Sequence, residues 1–185
     1  MAASPSPSPS PSPSPSGALL RGLFAGGARP RAYIASPLGF SEVGRAYYAE
    51  RYLPALRRHV EPVDPWTLSL PEEFVSAAAA GREREFGVEV GMRNAEAIRG
   101  SQLLIAHLDG QEVDAGTASE VGFAAARGLP CLAVRSDLRS SGEPGMSVNL
   151  QLEAFVVLSG GFVVRSLDEL VVELAQLRRG PNAAP

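Results

Sequence analysis

The sequence predicts an α/β fold: a three-layer sandwich with a central parallel five-stranded sheet, flavodoxin- or Rossmann-like. Three observations predict it. Short apolar runs recur along the chain, and the clearest, QLLIAHL at 102–108, is continuous rather than alternating. Such a run suits a parallel strand buried on both faces. Stretches of helical periodicity separate the runs. The order of strand signal and helix signal alternates, which is the pattern of a parallel sheet with helices on both sides.

The elements follow in order. AYIAS (32–36) is a short strand that ends at Pro37-Leu38-Gly39. Residues 41–59 have helical spacing, with Val43, Tyr47, Leu53 and Leu56 on one face and Ser41 as a cap. HVEPVDPW (59–66) gives a second short strand and a proline-punctuated loop. Helices are expected over 71–80 and 82–99. QLLIAHL is the third strand. Residues 117–127 form a helix closed by Gly128. LPCLAV (129–134) is the fourth strand, followed by a polar loop over 135–147. An element at 149–157, a strand near FVVRS (162–166) and a helix over 167–178 complete the fold. In such sheets ligands sit beyond the carboxyl ends of the strands. The loops after the first, third and fourth strands should therefore converge on one crevice.

Residues 4–16 alternate Ser and Pro, and a stretch of that composition cannot bury a core. Residues 1–30 are read as a disordered tail or targeting segment, and the folded domain as 31–180. The first acidic residue is Glu42. A Ser-rich, Arg-containing, acid-free start fits an organelle transit peptide, or a plain extension of a cytoplasmic protein. The cytoplasmic reading is preferred.

Composition narrows the chemistry. The net charge is −3, which gives no electrostatic footprint for nucleic acid. All 17 basic residues are arginine, so Schiff-base, pyridoxal-phosphate and Walker A lysines are excluded. One cysteine and two distant histidines, His59 and His107, leave no expected metal site. No cofactor and no membrane span are expected.

One segment stands out. Asp109 to Gly122 reads DGQEVDAGTASEVG, with four carboxylates between Asp109 and Glu120. In one reading Thr117 and Glu120 form a capping box at a helix start. In the other, Glu120 is held ionised by the helix N-terminus and attacks an electrophilic carbon such as a sugar anomeric centre. Spacing alone does not choose between them.

From Ala32 to Val157 the chain resembles the nucleoside 2-deoxyribosyltransferase family. The resemblance rests on Tyr33 to Pro37 (YIASP), Arg93 to Ile98 (RNAEAI), Asp109 to Gly122, and Val148 to Leu150 (VNL), in that order. It implies Glu120 as nucleophile, Tyr33 holding it, and Asp114 binding the sugar. It further implies Asn94 at the base, Asp109 at the base or the loop, Gly116 in the substrate-binding turn, and Asn149 reaching the sugar from a neighbouring subunit. The partners implied are a nucleoside and a nucleobase, in a homo-oligomer with a shared active site. Each residue also has a plain structural reading: Tyr33 as core, Asn94 as helix surface, Asn149 as a cap, Asp109 as a strand end. Trp66 either packs or lines the base pocket. Residues 67–92 are not diagnostic, and the tail GPNAAP lacks the aromatic residue some members contribute.

Three functions compete: transfer of 2-deoxyribosyl between bases, hydrolysis of a nucleoside or its 5′-monophosphate, and non-catalytic nucleotide binding. A phosphate would need Ser36, Ser41, Arg45 or Ser147, whereas Asp114 would repel it.

Overall fold

The computed structural model describes residues 15–179. Its five strands are β1 (Arg31–Ala35), β2 (Glu61–Val63), β3 (Leu103–His107), β4 (Cys131–Val134) and β5 (Phe162–Val164). They form one sheet in the order β2-β1-β3-β4-β5, with every neighbouring pair parallel. β1 is an interior strand: Tyr33 pairs with Val63 on one side and Leu104 on the other. The chain order reverses between β1 and β3, which opens the crevice where such folds hold ligands.

Two apolar cores cover the two faces. Ile34, Leu103, Ile105 and Leu132 point to one. There they meet α3 (Leu53–Arg57), α8 (Leu167–Arg179) and Tyr48 and Tyr52, which follow α2 (Glu42–Tyr47). Tyr33, Leu104, Ala106 and Ala133 point to the other, against α5 (Glu83–Arg99), α6 (Ala115–Ala126) and α7 (Leu150–Leu158). α4 (Pro71–Ala79) lies beside α5. β3 is buried along its whole length, as its uninterrupted apolar run predicts.

Two expectations are corrected. The helix over 41–59 starts at the Ser41 cap as expected, where Ser41 Oγ accepts from Gly44 N at 3.0 Å. However, a π-helical turn at Tyr48–Tyr52 joins α2 to α3. The wider turn rotates the buried face. Tyr48, Tyr52, Leu53 and Leu56 are buried, whereas Val43 is 81% exposed. The folded region also begins before residue 31. α1 (Pro15–Leu23) sends Leu20 into the first core, with Phe24 fully buried behind it. Arg178 of α8 donates to Gly27 O at 2.9 Å and fastens this segment. Leu20, Leu23 and Phe24 pack on the first core and are the reason the segment folds onto it. The Ser-Pro repeat up to residue 14 and the tail from residue 180 lie outside the described residues.

Phe24→Ala should cost roughly 3–5 kcal/mol, as for other buried phenylalanines cut to alanine, measured by urea unfolding. Deleting residues 1–30 should lower the midpoint comparably. An unchanged midpoint in both variants would place the segment outside the cooperative core.

Candidate active site

α6 begins beyond the carboxyl end of β3. Its cap is Asp114, whose Oδ2 accepts from Thr117 N at 2.8 Å and from Thr117 Oγ1 at 3.1 Å. The expected Thr117–Glu120 capping box does not form. The helix starts earlier because aspartate is a strong cap. Glu120 consequently sits in the second turn, not the first. Gly116, Thr117 and Glu120 are spaced i, i+1 and i+4, so Gly116 and Glu120 share a helix face.

Tyr33 stands on β1 with its ring fully buried. Its hydroxyl donates to Glu120 Oε1 at 2.6 Å. This bond crosses the β1–β3 split and joins two segments distant in sequence. Burial pushes the Glu120 carboxyl up to about 7; the Tyr33 hydrogen bond pulls it down and Asp114 pushes it further up. The expected dominance of the helix N-terminus is thus overturned by desolvation. Burial, and then the Glu120 charge, raises the Tyr33 phenol well above its ordinary range. Tyr33 therefore remains a donor at neutral pH.

A cavity of about 360 Å³ opens over Glu120, within the range of small-molecule sites. Asp114, Gly116 and Thr117 of α6 line it beside Glu120, with Ser36 from the end of β1 and Asn94 from α5. Phe40, Trp66 and Phe74 form an aromatic wall opposite. Trp66 meets Phe40 edge-to-face at 4.8 Å. Its backbone N–H donates to Asp64 Oδ1 at 3.0 Å, and Tyr48 donates to the same oxygen at 2.9 Å. Gly39 makes room for the indole, since a Cβ there would lie 2.2 Å from a ring carbon. Asn94 Oδ1 is buried and has no partner among the described residues. A buried amide oxygen lining a pocket is suited to accept from a ligand donor. Arg93, next along α5, ties the helix to α4 through Glu73 at 2.9 Å. A larger hollow, about 520 Å³, lies between α4 and α5. It is open and lined by neither Glu120 nor Tyr33, so it is not the chemical site.

The sequence-derived candidates divide into those the fold gathers and those it does not. Tyr33, Asn94, Asp114, Gly116 and Glu120 come together. Asp109 does not line the cavity. Its carboxylate accepts from Ser136 N at 2.6 Å, Asp137 N at 2.9 Å and the Ser136 hydroxyl. It thus braces the loop after β4, and its acceptors are spent there. Asn149 is exposed and caps α7, accepting from Gln151 N at 3.0 Å. Among the phosphate candidates only Ser36 lines the cavity. Phe40 and Phe74 were not anticipated. Phe40 directly follows Gly39 at a strand-end loop, a signal available in the sequence. Phe74 sits in the undiagnostic stretch and had none.

No group of three or more His, Cys, Asp or Glu suited to a metal occurs among the described residues. No helix among them is long and apolar enough to cross a membrane.

The fold is flavodoxin-like, with a tyrosine-held carboxylate at the strand-order switch point. A family model described as nucleoside 2-deoxyribosyltransferase matches residues 32–166, and the chain belongs to that family. The family acts on nucleosides and nucleobases, by deoxyribosyl transfer or N-glycosidic cleavage. A conserved protein of solved structure from Enterococcus faecalis is 26% identical. The match covers 80% of this chain and 99% of that one, with a TM-score of 0.53. A 2-deoxyribosyltransferase from Bacillus psychrosaccharolyticus is 21% identical over 78% of this chain and 95% of its own, with a TM-score of 0.57. That likeness establishes the fold. No protein of curated function matches.

If activity depends on the ionised Glu120 carboxylate, kcat/KM should rise as pH increases through about 7. Tyr33→Phe removes a hydrogen bond that favours ionisation. Its acid limb should therefore move to higher pH, read from profiles between about pH 5 and 9. A limb at the wild-type position would contradict the coupling.

Proposed function

We propose that the protein transfers a 2-deoxyribosyl group between nucleobases through a covalent Glu120–sugar ester. The observation that carries this reading is the 2.6 Å hydrogen bond from Tyr33 to Glu120 Oε1 beneath the cavity. Tyr33 fixes one carboxylate oxygen and leaves Oε2 for the sugar. In the first step Oε2 bonds to C1′ as the C1′–N bond breaks. The bonding pair leaves with the base, which takes a proton from solvent. In the second step a nitrogen of the incoming base bonds to C1′. The ester C–O bond breaks, its electron pair returns to Glu120, and the incoming base releases its N–H proton. Two inversions give net retention. No cofactor is required.

The remaining roles follow from position. Asp114 uses Oδ2 as a helix cap, which leaves Oδ1 to accept from an uncharged sugar hydroxyl. Gly116 lets the ligand approach the α6 backbone. Asn94 holds the base edge, and the wall of Trp66 and Phe74 stacks on its face. No residue lining the cavity, among those described, is basic. Two carboxylates without a cation favour a nucleoside over a 5′-monophosphate. Hydrolysis is the same first step with water in place of the second base.

Asn149 is assigned to a neighbouring subunit's sugar site in a homo-oligomer. The surface of α7 supports this. Leu150, Val157 and Leu158 are exposed at 46%, 66% and 71%, and with Ala154 they fall on one helical stripe. The buried side of the same helix packs on the second core.

The test is incubation with 2′-deoxyadenosine and a free pyrimidine base, following both exchanged nucleoside and free sugar. Exchange should be lost on the order of 10³-fold or more in Glu120→Ala, as for removal of other nucleophiles. Free sugar without exchange would assign hydrolysis instead. Wild-type turnover by Glu120→Ala would remove the nucleophile. The shared site has its own test: mixing inactive Glu120→Ala with inactive Asn149→Ala should restore part of the activity after subunit exchange. Failure of the mixture, with exchange of subunits verified by mass, would confine each site to one chain.

A further inference from the structure

Arg135 directly follows β4 and is fully buried. Its backbone N–H continues the ladder to Val164 O at 2.9 Å. Its guanidinium turns beneath the strand ends. Nη1 donates to Leu108 O and to Gly110 O, the latter at 2.8 Å. Nη2 donates to Arg139 O at 2.8 Å and to Ser141 Oγ at 3.4 Å. One side chain therefore grips the loop after β3 and the loop after β4 together. Among the described residues no carboxylate forms an ion pair with it, and its Nε has no partner.

A buried cation of this kind is poor evidence for a stability role, because an apolar residue of similar volume often serves as well or better. The guanidinium offers instead a flat fork with fixed donor directions. The opposite half of the latch has the same target. Asp109 accepts from Ser136 N and Asp137 N, and Gly110 N donates to Asp137 Oδ2 at 3.3 Å. Gly110 is thus held at both its N–H and its carbonyl by the β4 side. Its φ of +140° and the 2.6 Å approach of Glu112 O to a Cβ position restrict this point to glycine. From Gly110 a short run, with Val113 packed on the second core, leads to the Asp114 cap.

We propose that Arg135 is a positioning residue: its grip on Leu108 and Gly110 sets where α6 begins, and so where Asp114 and Glu120 stand over the cavity. The catalytic part of this inference rests on Glu120 being the nucleophile. Misplacement by about 1 Å costs on the order of 10²-fold in rate without removing binding contacts. The signature is therefore a fall in kcat with KM nearly unchanged.

The experiment uses Arg135→Met in the full chain, with steady-state kinetics and amide hydrogen exchange. The expected result is a fall in kcat on the order of 10²-fold, KM within about threefold, and faster exchange at Gly110 to Thr117. Exchange at Val121 to Ala125 should be unchanged. Added ethylguanidinium should restore part of kcat and of the protection in Arg135→Ala, which a merely destabilised chain would not show. Wild-type kcat and protection in Arg135→Met, or a change in KM alone, would overturn the proposal. If Arg135→Met does not fold, Asp137→Ala decides, since it frees Gly110 N from the surface side. The same pattern in weaker form supports the latch, and unaltered kcat and exchange refute it. If the wild type has no Glu120-dependent turnover, the functional reading fails. The exchange pattern then still tests whether Arg135 sets the loop.

Discussion

The hydrogen bond from Tyr33 to Glu120 is the interaction around which the site is arranged. It requires that β1 and α6 meet, and the strand order β2-β1-β3-β4-β5 brings this about. It also fixes an electrostatic compromise. A carboxylate taken out of water becomes harder to ionise, and a neutral phenol donor returns part of what burial removes. The result is a carboxyl pushed up to about 7, which ionises near neutrality. A cation in place of Tyr33 would ionise the carboxylate more completely and make it a poorer nucleophile. The phenol is the weaker and better matched partner.

The four carboxylates of DGQEVDAGTASEVG divide their work according to where the fold sets them. Asp109 anchors the β4 loop, Glu112 is exposed, Asp114 caps α6 and lines the cavity, and Glu120 meets Tyr33. Only two of the four line the cavity. Asp109 and Arg135 serve the same end by opposite means, an acceptor reaching toward β4 and a donor reaching back toward β3. This double latch explains how a glycine-containing loop holds a helix start steady enough for chemistry.

The fold was largely legible in the sequence. Continuous apolar runs at β3 and β4 and the helical stretches between them leave few alternatives to a parallel sheet. The failures have local causes. The π turn at Tyr48–Tyr52 inserts a residue that a regular period does not reveal, and Val43 moves from the expected buried face to solvent. This segment was hidden because its core residues, Leu20 in α1 and Phe24 just after it, follow a long repeat of Ser and Pro and dominate no window. At the site, Tyr33, Asn94, Asp114, Gly116 and Glu120 could be named from motif order. Asp109 could not be assigned, because a carboxylate at a strand end looks the same whether it faces a ligand or a loop. Arg135 was missed entirely. An arginine after a strand reads as a solvated terminus, and only tertiary structure reveals four acceptors around it.

Shape and charge in the cavity point to the same kind of ligand. The indole of Trp66 lies against Gly39 with no room for even a methyl group between them, and Asp64 accepts from the Trp66 backbone N–H and fixes the chain there. A wall so supported presents a flat apolar face that any nucleobase can stack on, and it discriminates weakly between bases. Selection by base must then come from edges, and Asn94 is the cavity's unpaired buried amide. At the sugar end the argument is electrostatic. Asp114 already raises the Glu120 carboxyl through repulsion at the site's own separation. A phosphate brought to the same end would add further negative charge with no basic residue in the lining to offset it. It would suppress the ionised form of Glu120 on which the proposed attack depends. The proposed transfer is for that reason read as a reaction of the neutral nucleoside rather than of its 5′-monophosphate.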